Sequence, residues 1–108
     1  MKTSWRELLS NVLKRNNESW KDIIFYSTSI NEPAVEWGNF DFTLAEILKF
    51  DKEVLLDLTF PNGYSSESPI KVKAWTSDFV YFSREYDGHN YIDCIERNPV
   101  KPVITNRK

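Results

Sequence analysis

The sequence predicts an α+β domain: an antiparallel sheet of four to five strands, with an N-terminal amphipathic helix packed on one face and a short second helix capping an edge. Three observations carry this. Trp5, Leu8, Leu9, Val12 and Leu13 follow the spacing of a single helical stripe. Later segments alternate apolar and polar residues with the period of two that places one strand face in a core. Asp87-Gly88 separates two such runs and is a strong short-range hairpin signal, because a type I′ turn needs positive φ at both central residues.

Taken in order, Ser4 and Glu7 suit a capping box at the start of the first helix, and Asn16-Asn17 break its period. The run from Ile23, IIFYSTS, is β-branched and aromatic and predicts a strand. Residues 31–41 hold Pro33 and Gly38 without a sustained period and predict a loop, with Val35 and Trp37 tucked inward. Thr43 and Glu46 form a second capping box, and Phe42 is placed to staple against Ile47. EVLLDLTF alternates Val54, Leu56, Leu58 and Phe60 and predicts a strand, as does PIKVKAWT with Ile70, Val72 and Ala74 inward. Between them Asn62-Gly63 favours a left-handed turn.

The register of the hairpin follows by counting from Asp87-Gly88. Tyr86 faces His89, Arg84 faces Tyr91, Phe82 faces Asp93 and Val80 faces Ile95 on one side. Phe79, Tyr81, Ile92 and Cys94, with Ser83, Glu85 and Asn90 nearer the turn, take the other. Apolar residues on both sides predict a base buried on both faces and a wet tip. Asn98-Pro99 ends the last strand, since proline cannot donate to a ladder, and Arg97 is expected beside Asp78.

At 108 residues the chain is one domain by length, read as 1–100 with a flexible basic tail at 101–108. A domain of this size buries roughly two thirds of the surface its unfolded chain exposes, so it needs no staple. Aromatic residues make up 15%, including four Trp, a high share for so short a chain with consequences for interfaces. The single cysteine and the absence of an apolar leader predict a reducing cytosol, and no apolar run is long enough for a membrane span. The net charge of −2 conceals a basic end: Arg97, Lys101, Arg107 and Lys108 stand without an acid, which leaves the remainder at −6. An acidic body repels phosphate backbones, so nucleic acid is an unlikely partner class on charge grounds.

Candidate binding residues cluster around the hairpin: Trp75, Arg84, Tyr86, His89, Tyr91 and Arg97, with Asp87 and Gly88 as the structural turn. Arg84, diagonal to Asp93 and flanked by Tyr91, suits either a planar or anionic ligand or a cross-strand ion pair packed on aromatics. His89 has no nucleophile beside it, and a hydrolase or nuclease built on it with nearby carboxylates ranks third among the function classes. There is no metal-ligand spacing, P-loop, dinucleotide fingerprint or nucleophile elbow, so neither a catalytic residue nor a cofactor is expected.

Gly63-Tyr64, Trp75-Thr76, Val80-Tyr81-Phe82, Tyr86-Asp87-Gly88 and Arg97-Asn98-Pro99, in that order, resemble an uncharacterised family of small bacterial and phage-borne proteins. The similarity spans Leu55 to Pro99, under half the chain, and departs from the family at His89-Asn90-Tyr91, where relatives are more acidic and richer in tryptophan. The family has no known activity; the resemblance implies a phage or prophage accessory or counter-defence role. The functional expectation is a small cytosolic, non-enzymatic protein that binds or inhibits an unknown protein partner. The alternative is a module for a small anionic or nucleotide-like molecule gripped by Arg84, Tyr86, Tyr91 and Arg97.

Overall fold

Helix α1 (Trp5–Arg15) starts where the sequence says it should and for the expected reason: the Ser4 side chain accepts the Glu7 N–H. The return half of the expected capping box is replaced, because the Glu7 carboxylate accepts the Thr3 hydroxyl at 3.2 Å. At the other end Asn17 takes φ 61°, the Glu18 N–H reaches the Leu13 carbonyl and the Asn17 N–H reaches that of Lys14. Asparagine tolerates this left-handed position, and the paired bonds satisfy carbonyls that the helix end leaves open. The structure, a computed structural model, describes residues 2–37, 42–62 and 67–97.

The chain is α+β. In order it runs β1 (Lys2–Ser4), α1, β2 (Phe25–Ile30), α2 (Glu32–Trp37), α3 (Leu44–Ile47), α4 (Lys52–Asp57), β3 (Thr59–Pro61), β4 (Ile70–Trp75), β5 (Phe79–Tyr86) and β6 (His89–Glu96). β1 and β3 form a two-stranded antiparallel sheet, and the other four strands form a larger antiparallel sheet in the order β2-β4-β5-β6. β2, β4 and the β5–β6 hairpin fall where expected, and the hairpin register is the one obtained by counting. Asp87 at φ 53° and Gly88 at φ 81° supply the two positive values that the turn requires.

Two expected elements differ. Glu53–Phe60 was expected as one strand, but Lys52–Asp57 is helical and only Thr59–Pro61 is extended. The Asp51 side chain caps this helix by accepting the Val54 N–H at 3.0 Å. Adjacent Leu55 and Leu56 are then both buried while Val54 faces out, a pattern that a strand with one buried face does not produce. The stretch expected as a loop from Asn31 contains α2, with Pro33 in its first turn, where the missing N–H would have had no helical partner. Val35 is buried as expected; the Trp37 side chain lies outside the described residues, as do the Gly63 turn, Asn98-Pro99 and the tail at 101–108. The capping box of α3 is complete in both directions, and the Phe42 ring meets Phe50 edge-on.

The core lies between the helices and one face of the four-stranded sheet. Leu9, Val12 and Leu13 of α1 and Leu55 and Leu56 of α4 share a cluster with Ile70, Val72, Ala74, Tyr81 and Ile92. Trp5 sits in it at 1% exposure, tilted against Phe60 at 5.2 Å, and its indole N–H is bonded to the Ile70 carbonyl at 2.7 Å and the Ser68 hydroxyl at 3.1 Å. A polar chain continues from there. The Ser68 N–H is bonded to the buried Asn90 side-chain oxygen, and the Asn62 amide accepts from the Asn90 N–H and donates to its carbonyl. β4 and β5 pair only over Lys73–Trp75 with Val80–Phe82; beyond that they splay, and the Ser83 hydroxyl takes the Val72 N–H at 3.0 Å.

A second polar cluster closes the opposite end. The Tyr81 hydroxyl donates to Glu18 at 2.5 Å, the Thr76 hydroxyl donates to the same oxygen, and the Asn16 amide donates to Tyr81. Burial, and then the bond to Glu18, push the Tyr81 hydroxyl well above the usual tyrosine range.

Two outcomes follow. Gly88→Ala places a Cβ at φ 81° and should cost about 1–2 kcal/mol, measured by denaturant unfolding. The fold favours neutral Tyr81, and that contribution is complete below the ordinary tyrosine value of about 10 and is lost as pH rises towards the folded value. Stability should therefore decline above about pH 10, and Tyr81→Phe should remove part of that decline while costing about 1 kcal/mol at neutral pH through the lost hydrogen bond. Thermal melts of both proteins across alkaline pH check this.

Candidate functional site

Cross-strand pairing aligns the outer face of the large sheet into rows. Phe25, Trp75, Val80 and Ile95 are successive register partners across all four strands and make one wholly apolar row. Ser27, Lys73, Phe82 and Asp93 make the next. Arg84 with Tyr91 and Tyr86 with His89 extend the same face toward the hairpin tip. All the helices contribute to the core on the inner side, and among the described residues no element lies over these rows.

The expectation that the hairpin base is buried on both faces is therefore corrected. Tyr81 and Ile92 are buried on the inner face, but Ile95 is 59% exposed and Val80 and Phe82 are half-buried on the outer one. Phe25 is 54% exposed although its ring packs against Trp75 at 5.3 Å. Where β4 and β5 splay, the surface dips into a trough of about 590 Å³. Its floor and walls come from Trp75, Val80, Phe82 and Ile95, with Ser27, Ser29, Lys71 and Lys73 at the β2 side.

The sequence-predicted residues divide between this face and its ends. Trp75 lies in the apolar row. Arg84 reaches Asp93 at 3.6 Å with both side chains about half exposed, an ion pair of at most about 1 kcal/mol. Tyr86 is exposed at the tip, and His89 stacks on Tyr91 with ring centroids 5.9 Å apart. His89 and Cys94 stand on opposite faces of β6, and Cys94 is half-buried on the inner side, with its sulfur 3.5 Å from the Asn16 amide. Arg97 does bond to Asp78, but through its backbone N–H to the Asp78 carbonyl. Its guanidinium, expected at the Asp78 side chain, instead donates to the Thr76 carbonyl at 2.7 Å. A carbonyl fixed at the β4–β5 turn is a better-placed acceptor than an exposed carboxylate, so Arg97 staples the sheet end, two residues along β6 from Ile95 of the apolar row.

Sequence reasoning missed Phe25, Lys73 and Ile95 as members of a surface. Phe25 reaches this face through the pairing of β2 with β4, between strands separated by three helices and β3, and Lys73 comes beside Phe82 through the pairing of β4 with β5. No local pattern encodes the pairing of β2 with β4.

Side chains occupy some backbone groups on each free edge of the sheet. On β2 the Tyr26 carbonyl accepts the Lys52 ammonium, which also lies over the Tyr26 and Phe25 rings. On β6 Asn62 occupies both backbone groups of Asn90, and the Asp93 carboxylate takes the Cys94 N–H. Occupied edge groups discourage strand addition at those positions. Among the described residues no group of three or more His, Cys, Asp or Glu could hold a metal ion, and no helix is long and apolar enough to cross a membrane. Comparison with protein-family models, curated proteins and solved structures found no match.

Proposed function

We propose that this is a non-enzymatic binding protein that meets a partner protein through the outer face of its four-stranded sheet. The observation that carries the proposal is the uncovered apolar row of Phe25, Trp75, Val80 and Ile95, with Phe82 beside it. A contiguous apolar patch rimmed by charges is the usual composition of a docking surface, with aromatic anchors at its centre. Here the rim is Lys71, Lys73, Arg84 and Asp93, and side chains occupy part of each sheet edge. An accessory or inhibitory role in the cytosol, as the resemblance implies, fits a small protein that acts by occupying a partner's surface.

The small-ligand alternative draws support from one feature: the trough has the volume of a small-molecule site and offers lysines and serine hydroxyls beside aromatic walls. Native mass spectrometry of the purified protein addresses it directly, since a retained small molecule would add a discrete mass.

The docking proposal is checked by Phe82→Asp and Ile95→Glu. Ile95 is mostly exposed, so Ile95→Glu should shift stability by less than about 1 kcal/mol, whereas Phe82→Asp, at a half-buried position, should cost more, which a melt of the variant measures. Affinity capture with the wild type should retain a partner that both variants lose, a loss on the scale of a hot spot, about 2 kcal/mol or more. A partner retained equally by wild type and variants would remove the face from consideration.

A further inference from the structure

The charges around the trough are unevenly matched. Lys71 is paired with Glu67, whose carboxylate also accepts from Asn31, and Arg84 is paired with Asp93, whose other oxygen takes the Cys94 N–H. Lys73 projects between Phe82 and Ser27 in the second row and stands 5.9 Å from the Trp75 ring, and no carboxylate among the described residues pairs with it. Lys52 adds a second cation at the β2 edge, bonded to a carbonyl and set over two rings. Among the described residues no carboxylate lines the trough. The protein is acidic apart from its C-terminal end, so this face is a local positive region on a body that otherwise repels anions.

We infer that the partner presents an acidic segment with a large apolar or aromatic side chain beside its carboxylates. The ring fills the trough between Trp75, Phe82 and Ile95, and a carboxylate meets Lys73. The inference rests on the reading of the outer face as a protein-docking surface and adds the chemistry of the partner. The body's own negative charge turns acidic segments away elsewhere, so the basic trough supplies both attraction and register, in the way complementary potentials select one docking orientation. A lysine held over an aromatic ring keeps its charge close to apolar surface, where an incoming carboxylate is less screened than in open solvent.

The test uses the full-length ¹⁵N-labelled protein and three polymer probes: a random glutamate–tyrosine copolymer, a lysine–tyrosine copolymer and polyglutamate. The glutamate–tyrosine copolymer should shift the amide resonances of residues 71–75 and 80–82. Polyglutamate should do so more weakly because it cannot fill the trough, and the lysine–tyrosine copolymer should leave these resonances in place. Lys73→Glu should weaken binding of the first copolymer about fivefold, the scale of an exposed charge contact, and added salt should weaken it further. Phe82→Asp should abolish the response, with Ile95→Glu as the second variant if Phe82→Asp melts early. Equal binding of the two tyrosine copolymers, shifts confined to residues 97–108, or an unchanged affinity in Lys73→Glu would overturn the inference. The two levels separate cleanly: a cellular partner lost by Phe82→Asp but kept by Lys73→Glu leaves the docking face standing and overturns the acidic partner, whereas one kept by both overturns the face itself.

Discussion

The bond from the Trp5 indole to the Ile70 carbonyl, with Ser68 alongside, ties the first helix to the first residue of β4 and decides which side of the sheet the helices cover. A buried indole N–H without an acceptor would carry a desolvation penalty of about 1–3 kcal/mol, and replacing a buried tryptophan by alanine costs about 3–5 kcal/mol. The same contact places Ser68 where its N–H meets Asn90, so the helix, the segment before β4 and the start of β6 share one buried polar chain. Low dielectric makes such a chain specific, because each member is costly to leave unpaired. Once Ile70, Val72 and Ala74 face α1 and α4, the alternation of the strand sends Lys71, Lys73 and Trp75 to the opposite side.

The outer surface is therefore a consequence of the core's geometry. The helical apolar surface covers one sheet face, and among the described residues no element lies over the outer rows. The partly occupied edges complete the logic. Lys52 closes a carbonyl on β2, Asn62 imitates a neighbouring strand at Asn90, and Asp93 bends back to the next N–H, so strand addition is discouraged at those positions. The Tyr81–Glu18–Thr76 cluster and the bond from Arg97 to the Thr76 carbonyl hold the end of the sheet opposite the hairpin tip, which stiffens the platform on which the apolar row stands.

The stretch from Asp51 to Pro61 illustrates how a short apolar run admits two periods. Val54, Leu56, Leu58 and Phe60 alternate well enough for a strand, yet Asp51 is a better helix cap than any feature of that run is a strand signal. The tertiary context agrees with the helix: Leu55 and Leu56 enter the core together on one face of a helical turn, and Arg6 of α1 is bonded to Asp57 at 2.5 Å. The same applies in α2, where Pro33 signals a break from the sequence but sits harmlessly in a first turn.

Local chemistry alone determined much of this protein: the first helix with its Ser4 cap and Asn16-Asn17 stop, the Thr43–Glu46 capping box, the alternation of β4, and the hairpin register set by Asp87-Gly88. These are interactions between residues a few positions apart or across a two-residue turn, so their partners are visible in the sequence. The placement of Trp75, Arg84, Tyr86, His89 and Tyr91 on one side follows from two pairings. The hairpin register was legible for all but Trp75, and the β4–β5 register added it. Only the tertiary structure decided that no described element covers this side, that Phe25 belongs to it, and that the Arg97 guanidinium is held at the Thr76 carbonyl. The physical reason is that sheet order and face coverage depend on long-range pairing of β2 with β4 and on where Trp5 finds its acceptors, and neither leaves a periodic trace in the chain.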